Sequence, residues 1–212
     1  MYRHFFKRFL DIVLSLLALI ILSPVILIVS ILIKVTSNGR VFFLQERLGK
    51  KGKVFKIIKF RTMVENAEKI GEGLRVSSEN DSRITKIGKI LRKTSLDELP
   101  QLINVLKGDM SLIGPRPPVT YHPHKYEEYS EEQKNRFLVR PGITGLAQVR
   151  VRNNATWDER IVIDVEYVNN ITFIKDVKLI FETVFKVFKC ESIYGESKQT
   201  KSPNIKELEL KR

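Results

Sequence analysis

One long apolar run dominates the pattern of the chain. From Asp11 to Ile33 it reads DIVLSLLALIILSPVILIVSILI, with no charge between Asp11 and Lys34. About 20 apolar residues suffice for a helix to cross a hydrocarbon core of roughly 30 Å, so this run predicts a membrane helix. A cleavable signal peptide is disfavoured, because no small-residue cleavage site follows; the chain continues into Lys34 and Val35. Ser23-Pro24 lies in the middle. A proline there removes one backbone hydrogen bond and crowds the preceding turn, so the helix is expected to kink or break. Basic residues flank both ends: Arg3, Lys7 and Arg8 before, Lys34, Arg40, Arg47, Lys50 and Lys51 after. Positive charge stays on the cytoplasmic side. Two readings remain open on these grounds. One is a kinked transmembrane helix; the other enters, turns at Ser23-Pro24 and leaves by the same face.

The later pattern changes period. Val41–Gln45 and Val54–Phe60 are rich in β-branched and aromatic residues and flank Gly49-Lys50-Lys51-Gly52, which predicts a hairpin. Arg83–Lys93 places Ile84, Ile87 and Leu91 on one helical face among five basic residues. Thr172–Lys189 repeats that design, with Ile174, Val177, Phe181, Val184, Phe185 and Phe188 in helical register. Each basic amphipathic helix suits a membrane interface, and equally a half-buried surface position. The expected fold class is α+β, mostly helical. It combines a membrane helix with a break, a small β-hairpin and interfacial amphipathic helices. Three parts are expected: a membrane segment over 1–36, a catalytic domain over 37–195 and a charged, disordered tail over 196–212.

Charge narrows the partners. The 212 residues carry a net charge of +13, which favours nucleic acid, anionic lipid or a phosphorylated substrate. The single cysteine, Cys190, has no partner within the chain, so a reducing compartment is expected. His122-Pro123-His124 lacks a third ligand at metal spacing, and no Gly-x-Ser-x-Gly elbow occurs.

The run from Thr94 to Pro118, TSLDELPQLINVLKGDMSLIGPRPP, is the richest in chemistry. Ser95-x-x-Glu98 matches a capping box, which would set Asp97 and Glu98 in the first turn of a short helix. The helix dipole would keep such carboxylates ionised. An ionised carboxylate attacks phosphorus or binds Mg²⁺, although acidic first turns are also ordinary caps. Three prolines around Arg116 stiffen a loop, and a fixed guanidinium matches phosphate oxygens in pairs. Arg140-Pro141-Gly142-Ile143-Thr144-Gly145 reads as a further loop that admits close approach of a ligand.

Taken in order, the segments resemble the bacterial sugar transferases, the monotopic phosphoglycosyl transferases. The resemblance runs through Lys7-Arg8-Phe9-Leu10-Asp11, Gln45-Glu46-Arg47-Leu48-Gly49 and Lys59-Phe60-Arg61-Thr62-Met63. It continues through Asp97-Glu98-Leu99-Pro100-Gln101-Leu102, Asn104-Val105-Leu106 and Gly108 to Pro117, and closes on Arg140–Gly145 and Ala147-Gln148-Val149. The chain departs from the pattern at Val151, where the family often carries glycine.

The resemblance implies a re-entrant helix broken at Ser23 and Pro24, on the cytoplasmic face of a bacterial inner membrane. It implies Asp97 as nucleophile and Glu98 as its partner, with Mg²⁺ held between them. It also implies a UDP-sugar donor and undecaprenyl phosphate as acceptor, with membrane lipids around it and downstream glycosyltransferases as further partners. The expected donor sugar is an N-acetylated amino sugar, and uridine monophosphate is the leaving group. Lys59, Arg61, Arg116 and Arg140 are the candidate phosphate contacts. Two other classes compete. A membrane-tethered nucleic-acid-binding protein would explain the charge, but the basic residues are dispersed and carry no nucleic-acid motif, so no nucleic acid is expected. A non-catalytic scaffold for glycan assembly would not need Asp97-Glu98.

Overall fold

The computed structural model describes residues 2–70, 81–151 and 155–189. A π-helical turn over Tyr2–Phe6 leads into α1 (Lys7–Thr36). At 1.5 Å per residue α1 is about 45 Å long. The expected break at Ser23-Pro24 is not an interruption, because α1 is helical throughout, with Pro24 inside it. The local chemistry supplies a reason. Pro24 has no N–H for the carbonyl of Ile20, and the Ser23 hydroxyl donates to that carbonyl instead, at 2.8 Å.

Both ends of α1 pack on the folded domain and its middle does not. Near the start, Lys7, Asp11 and Ser15 are buried. Near the end, Val29 and Ile33 join Phe60 and Leu91 in one core cluster. Between them lie Leu16, Leu17, Ile20, Ile21, Leu27 and Ile28, all exposed, Ile21 to 72%. Such a stripe is costly in water at roughly 25 cal/mol per Å², so it asks for an apolar environment.

The hairpin forms as expected. Strands β1 (Phe42–Leu48) and β2 (Val54–Phe60) pair antiparallel, with Phe42 opposite Phe60 and Leu48 opposite Val54. The turn between them uses a left-handed backbone at Lys51 and Gly52. Helix α2 (Lys86–Lys93) is shorter than the pattern suggested, because Thr85 caps it by accepting from the Gly88 N–H. Arg83 is therefore not part of a solvated helical face. It is buried, pairs with Asp81 at 2.7 Å and donates to the carbonyls of Ala67 and Ile70.

Next come α3 (Gln101–Lys107), β3 (Ser111–Ile113), α4 (Glu131–Lys134) and β4 (Gly142–Thr144). Strand β3 pairs parallel with β4. The expected Arg140–Gly145 loop thus contains a strand. The chain closes with α5 (Leu146–Arg150), α6 (Trp157–Asn169) and α7 (Phe173–Phe188). A core of Ile113, Val149, Tyr167, Val168 and Leu179 joins β3 to these helices. Residues 196–212 and Cys190 lie outside the described residues.

Helix α7 keeps its expected limits but presents its apolar stripe outward. Ile174, Phe181, Val184 and Phe185 are exposed, Phe181 to 70%, while Asp176 and Leu179 face inward. Its start is tied to the start of α1. Asp176 accepts from Lys7 at 2.6 Å and from Tyr2 and Tyr167 at 2.7 Å, and the rings of Tyr2 and Phe173 meet edge-on at 5.7 Å.

Candidate active site

The site forms where three segments meet: the end of β2, the turn after α2 and the proline loop after β3. Helix α2 ends at Lys93, and Ser95 then takes a left-handed backbone with φ of +56°. That conformation costs a residue other than glycine about 1 kcal/mol. It reverses the chain into a single 3₁₀ turn, Leu96–Glu98. The short helical turn was expected; the Ser95 capping box does not form, because that backbone leaves the Ser95 hydroxyl without a capping bond. Pro100 then starts α3, and Gly108 ends it in the left-handed region.

Asn104 fixes this assembly to the hairpin. It is buried on α3, its side-chain oxygen accepts from the Ile58 N–H at 2.9 Å, and its amide nitrogen donates to the Lys56 carbonyl at 2.8 Å. One side chain thus satisfies the free edge of β2 next to Lys59. Lys59 Nζ lies 2.5 Å from Glu98 Oε1 and 4.0 Å from Asp97 Oδ2.

Arg116 completes the group, with Nη1 3.9 Å from Glu98 Oε1. Its loop lacks backbone donors at Pro115, Pro117 and Pro118, so it is held through its carbonyls. Pro115 O accepts from Gly142 N, Arg116 O from Arg136 Nη2, Pro117 O from Arg47 Nη1 and Pro118 O from Leu48 N. Four consecutive carbonyls anchored on four residues make a rigid mount for one guanidinium.

The two carboxylates differ. Burial pushes the Asp97 carboxyl from its ordinary 3.8 up to about 6, with Lys59 opposing and Glu98 adding to the rise. Burial alone would raise Glu98 too, but Lys59 and Arg116 outweigh it and hold Glu98 below its usual range. The sequence leads one to expect an ionised first-turn carboxylate, but the Asp97 carboxyl is shifted towards its neutral form, with burial the largest cause. At pH 7 Asp97 is still mostly ionised, as a nucleophile requires.

The candidate residues separate cleanly. Asp97, Glu98, Lys59 and Arg116 come together. Arg61 does not join them: it is buried, donating to the carbonyls of Ser37 and Asn38 and to the Ser37 hydroxyl, where it holds the end of α1. Arg140 donates to the Gly108 carbonyl at 2.8 Å, at the end of α3. Two cations that sequence reasoning passed over belong to the site. Arg92 stabilises the Asp97 carboxylate, and Arg47 lines the cleft and acts on Glu98. In the sequence Arg92 reads as one more charge on an amphipathic helix.

Among the described residues no group of three or more His, Cys, Asp or Glu side chains gathers as a metal site. The adjacent Asp97 and Glu98 still fit Mg²⁺, which is commonly bound by one or two carboxylates with substrate phosphates filling the remaining positions.

Known proteins resemble the chain over most of its length. The bacterial sugar transferase family model matches residues 2–190. A UDP-glucose:undecaprenyl-phosphate glucose-1-phosphate transferase of Klebsiella pneumoniae is 44% identical over 196 residues, 89% of this chain and 41% of that protein. Galactosyl transferase CpsE of Streptococcus agalactiae is 45% identical, over 84% of this chain and 41% of its own length. The uncharacterized sugar transferase EpsL of Bacillus subtilis is 42% identical, over 88% of this chain and 89% of its own. The chain thus spans less than half of the first two relatives and most of the third. With a family match over nearly all described residues and the Asp97-Glu98 turn assembled, the chain belongs to the bacterial sugar transferase family.

Proposed function

We propose that the protein moves a sugar 1-phosphate from a UDP-sugar to undecaprenyl phosphate, at the cytoplasmic face of a bacterial inner membrane. The observation that carries this reading is the Asp97-Glu98 pair, partly buried and faced by Lys59 and Arg116. Asp97 attacks the sugar-proximal phosphorus. The bond from that phosphorus to the bridging oxygen breaks, and uridine monophosphate leaves with the oxygen. An aspartyl-phosphosugar remains. A phosphate oxygen of the acceptor then attacks the same phosphorus, and the bond to Asp97 breaks. The carboxylate is regenerated, and the product is a polyprenyl-diphospho-sugar that opens envelope glycan synthesis.

Two half-reactions suit a water-soluble donor and a bilayer acceptor, since the two need not be bound together. Lys59 and Arg116 face the phosphoryl oxygens and offset their charge. Mg²⁺, bound by Glu98 with Asp97, would polarise the donor's diphosphate. The relatives' names speak of glucose and galactose, so UDP-glucose and UDP-galactose are the first donors to test, ahead of the N-acetylated amino sugar that the family resemblance suggests.

The seating in the membrane is part of the proposal. Helix α1 is apolar and long enough to cross a membrane. Yet both its ends pack on one domain, which favours a helix that enters and leaves by the same face. The exposed apolar stripe of α7, tied to the start of α1, would lie in the same interface.

The test is release of uridine monophosphate by protein in lipid with Mg²⁺, undecaprenyl phosphate and a panel of UDP-sugars. Release with one sugar, lost in Asp97→Asn, is expected. Equal release by that variant would remove Asp97 from the mechanism.

A further inference from the structure

Gln101 stands out in the same cleft. It is the first residue of α3, placed by Pro100 and held by the Asn104 anchor one turn later. It is only 2% exposed, and its amide nitrogen has no hydrogen-bond partner. A sealed amide without a partner costs about 1–3 kcal/mol, and an apolar side chain of the same shape would avoid that cost. Such a group asks what it is kept for.

Its neighbours answer by their charge. Gln101 lines the cleft with Arg47, Lys59, Glu98 and Arg116, three cations to one carboxylate. The ligand that fits is an anion rich in oxygen acceptors. An amide N–H is a neutral donor to such an oxygen.

We infer that the Gln101 carboxamide donates a hydrogen bond to a phosphoryl oxygen of the bound nucleoside diphosphate. This rests on the transferase reading above. The donor's diphosphate then meets an amide on α3 as well as the guanidinium of the proline loop and the ammonium of β2. Three elements grip one group, and Gln101 trades stability of the empty protein for binding.

Gln101→Met and Gln101→Leu remove the donor and keep an apolar body of similar size. The full chain in nanodiscs is compared with wild type in two ways: the melting midpoint without ligand, and the Kd for UDP by calorimetry. We expect midpoints at or above wild type and a Kd for UDP raised roughly tenfold or more, the scale of a hydrogen bond to a charged group. Unchanged UDP affinity in both variants would overturn the assignment while leaving the transferase reading intact. Lower midpoints in both would also overturn it, by giving Gln101 a structural role. Wild-type protein that does not bind UDP would overturn the donor class itself, and the assignment with it.

Discussion

Two groups of buried charge sit about the proline loop, and they behave in opposite ways. Arg136 and Asp164 form a pair at 2.6 Å, each only 1% exposed, and Arg136 also holds the carbonyl of Arg116. Asp97, Glu98, Lys59 and Arg116 form the other group, with side chains 14–39% exposed and separations from 2.5 to 4.0 Å. The first is one acid bonded to one base, both almost wholly out of solvent. The second sets two adjacent acids before cations that hold one of them better than the other, at the edge of a cleft. Sealed one-to-one charge fixes a fold. Adjacent like charges half-buried at the edge of a cleft hold a carboxylate in reserve for chemistry.

The largest effect that would sharpen this contrast is in Asp97→Asn. Turnover should fall a thousandfold or more, as when a nucleophile is removed. The same change should stabilise the protein at pH 7 by about 1–3 kcal/mol, because a carboxyl raised to about 6 costs the fold while it is ionised. Thermal unfolding measured beside activity reads both. A loss of stability would mean that Asp97 is a structural acid after all.

Arg136→Met should do the reverse. It strands Asp164, and about 3–5 kcal/mol of stability should be lost in denaturant unfolding. The double variant Arg136→Met, Asp164→Leu should recover most of that stability, because the unpaired charge is gone. It should not recover activity, since the Arg116 carbonyl has lost its anchor. Full activity in a stable double variant would show that the mount of Arg116 is not needed.

A smaller effect follows from pH. Asp97 binds a proton in the folded state up to about pH 6 and in the unfolded state only near 4. Its contribution to stability therefore improves as pH falls from about 6 to about 4. Activity should fall through the same window as the nucleophile protonates. In Asp97→Asn that share of the stability profile should vanish. The smallest effect is at the surface: Arg150 and Glu166 pair at 2.6 Å with about half of each side chain exposed. Glu166→Gln should change stability by no more than about 0.5 kcal/mol.

Much of the frame was legible because it follows period and punctuation. The apolar run gives α1, the glycine-flanked alternation gives the hairpin, and Thr172 marks the start of α7. What the period does not state is which face is covered. The stripe of α7 reads the same whether it meets a core or a bilayer, and only the inward turn of Asp176 and Leu179 shows that it lies outside the core. Strands β3 and β4 are three residues each and lie among glycine and proline, too short for alternation to register. Within the site, Asp97, Glu98, Lys59 and Arg116 could be named through the family resemblance, since residue types alone leave Asp97 and Glu98 as ordinary first-turn caps. Arg61 lies only two residues from Lys59, yet β2 has ended there and its guanidinium turns to the end of α1. The roles of Asn104 and Arg136 are not legible in the sequence, because their partners (the Lys56 and Ile58 backbone for one, the Arg116 carbonyl and the Asp164 carboxylate for the other) lie far along the chain.

The most direct test of the account is the mass of the protein itself. Protein in lipid is mixed with a UDP-sugar it turns over, without acceptor, and digested for mass spectrometry. The account predicts one added sugar phosphate on the peptide holding Asp97, removed on addition of undecaprenyl phosphate. Turnover with no such adduct, or an adduct on another residue, would contradict it.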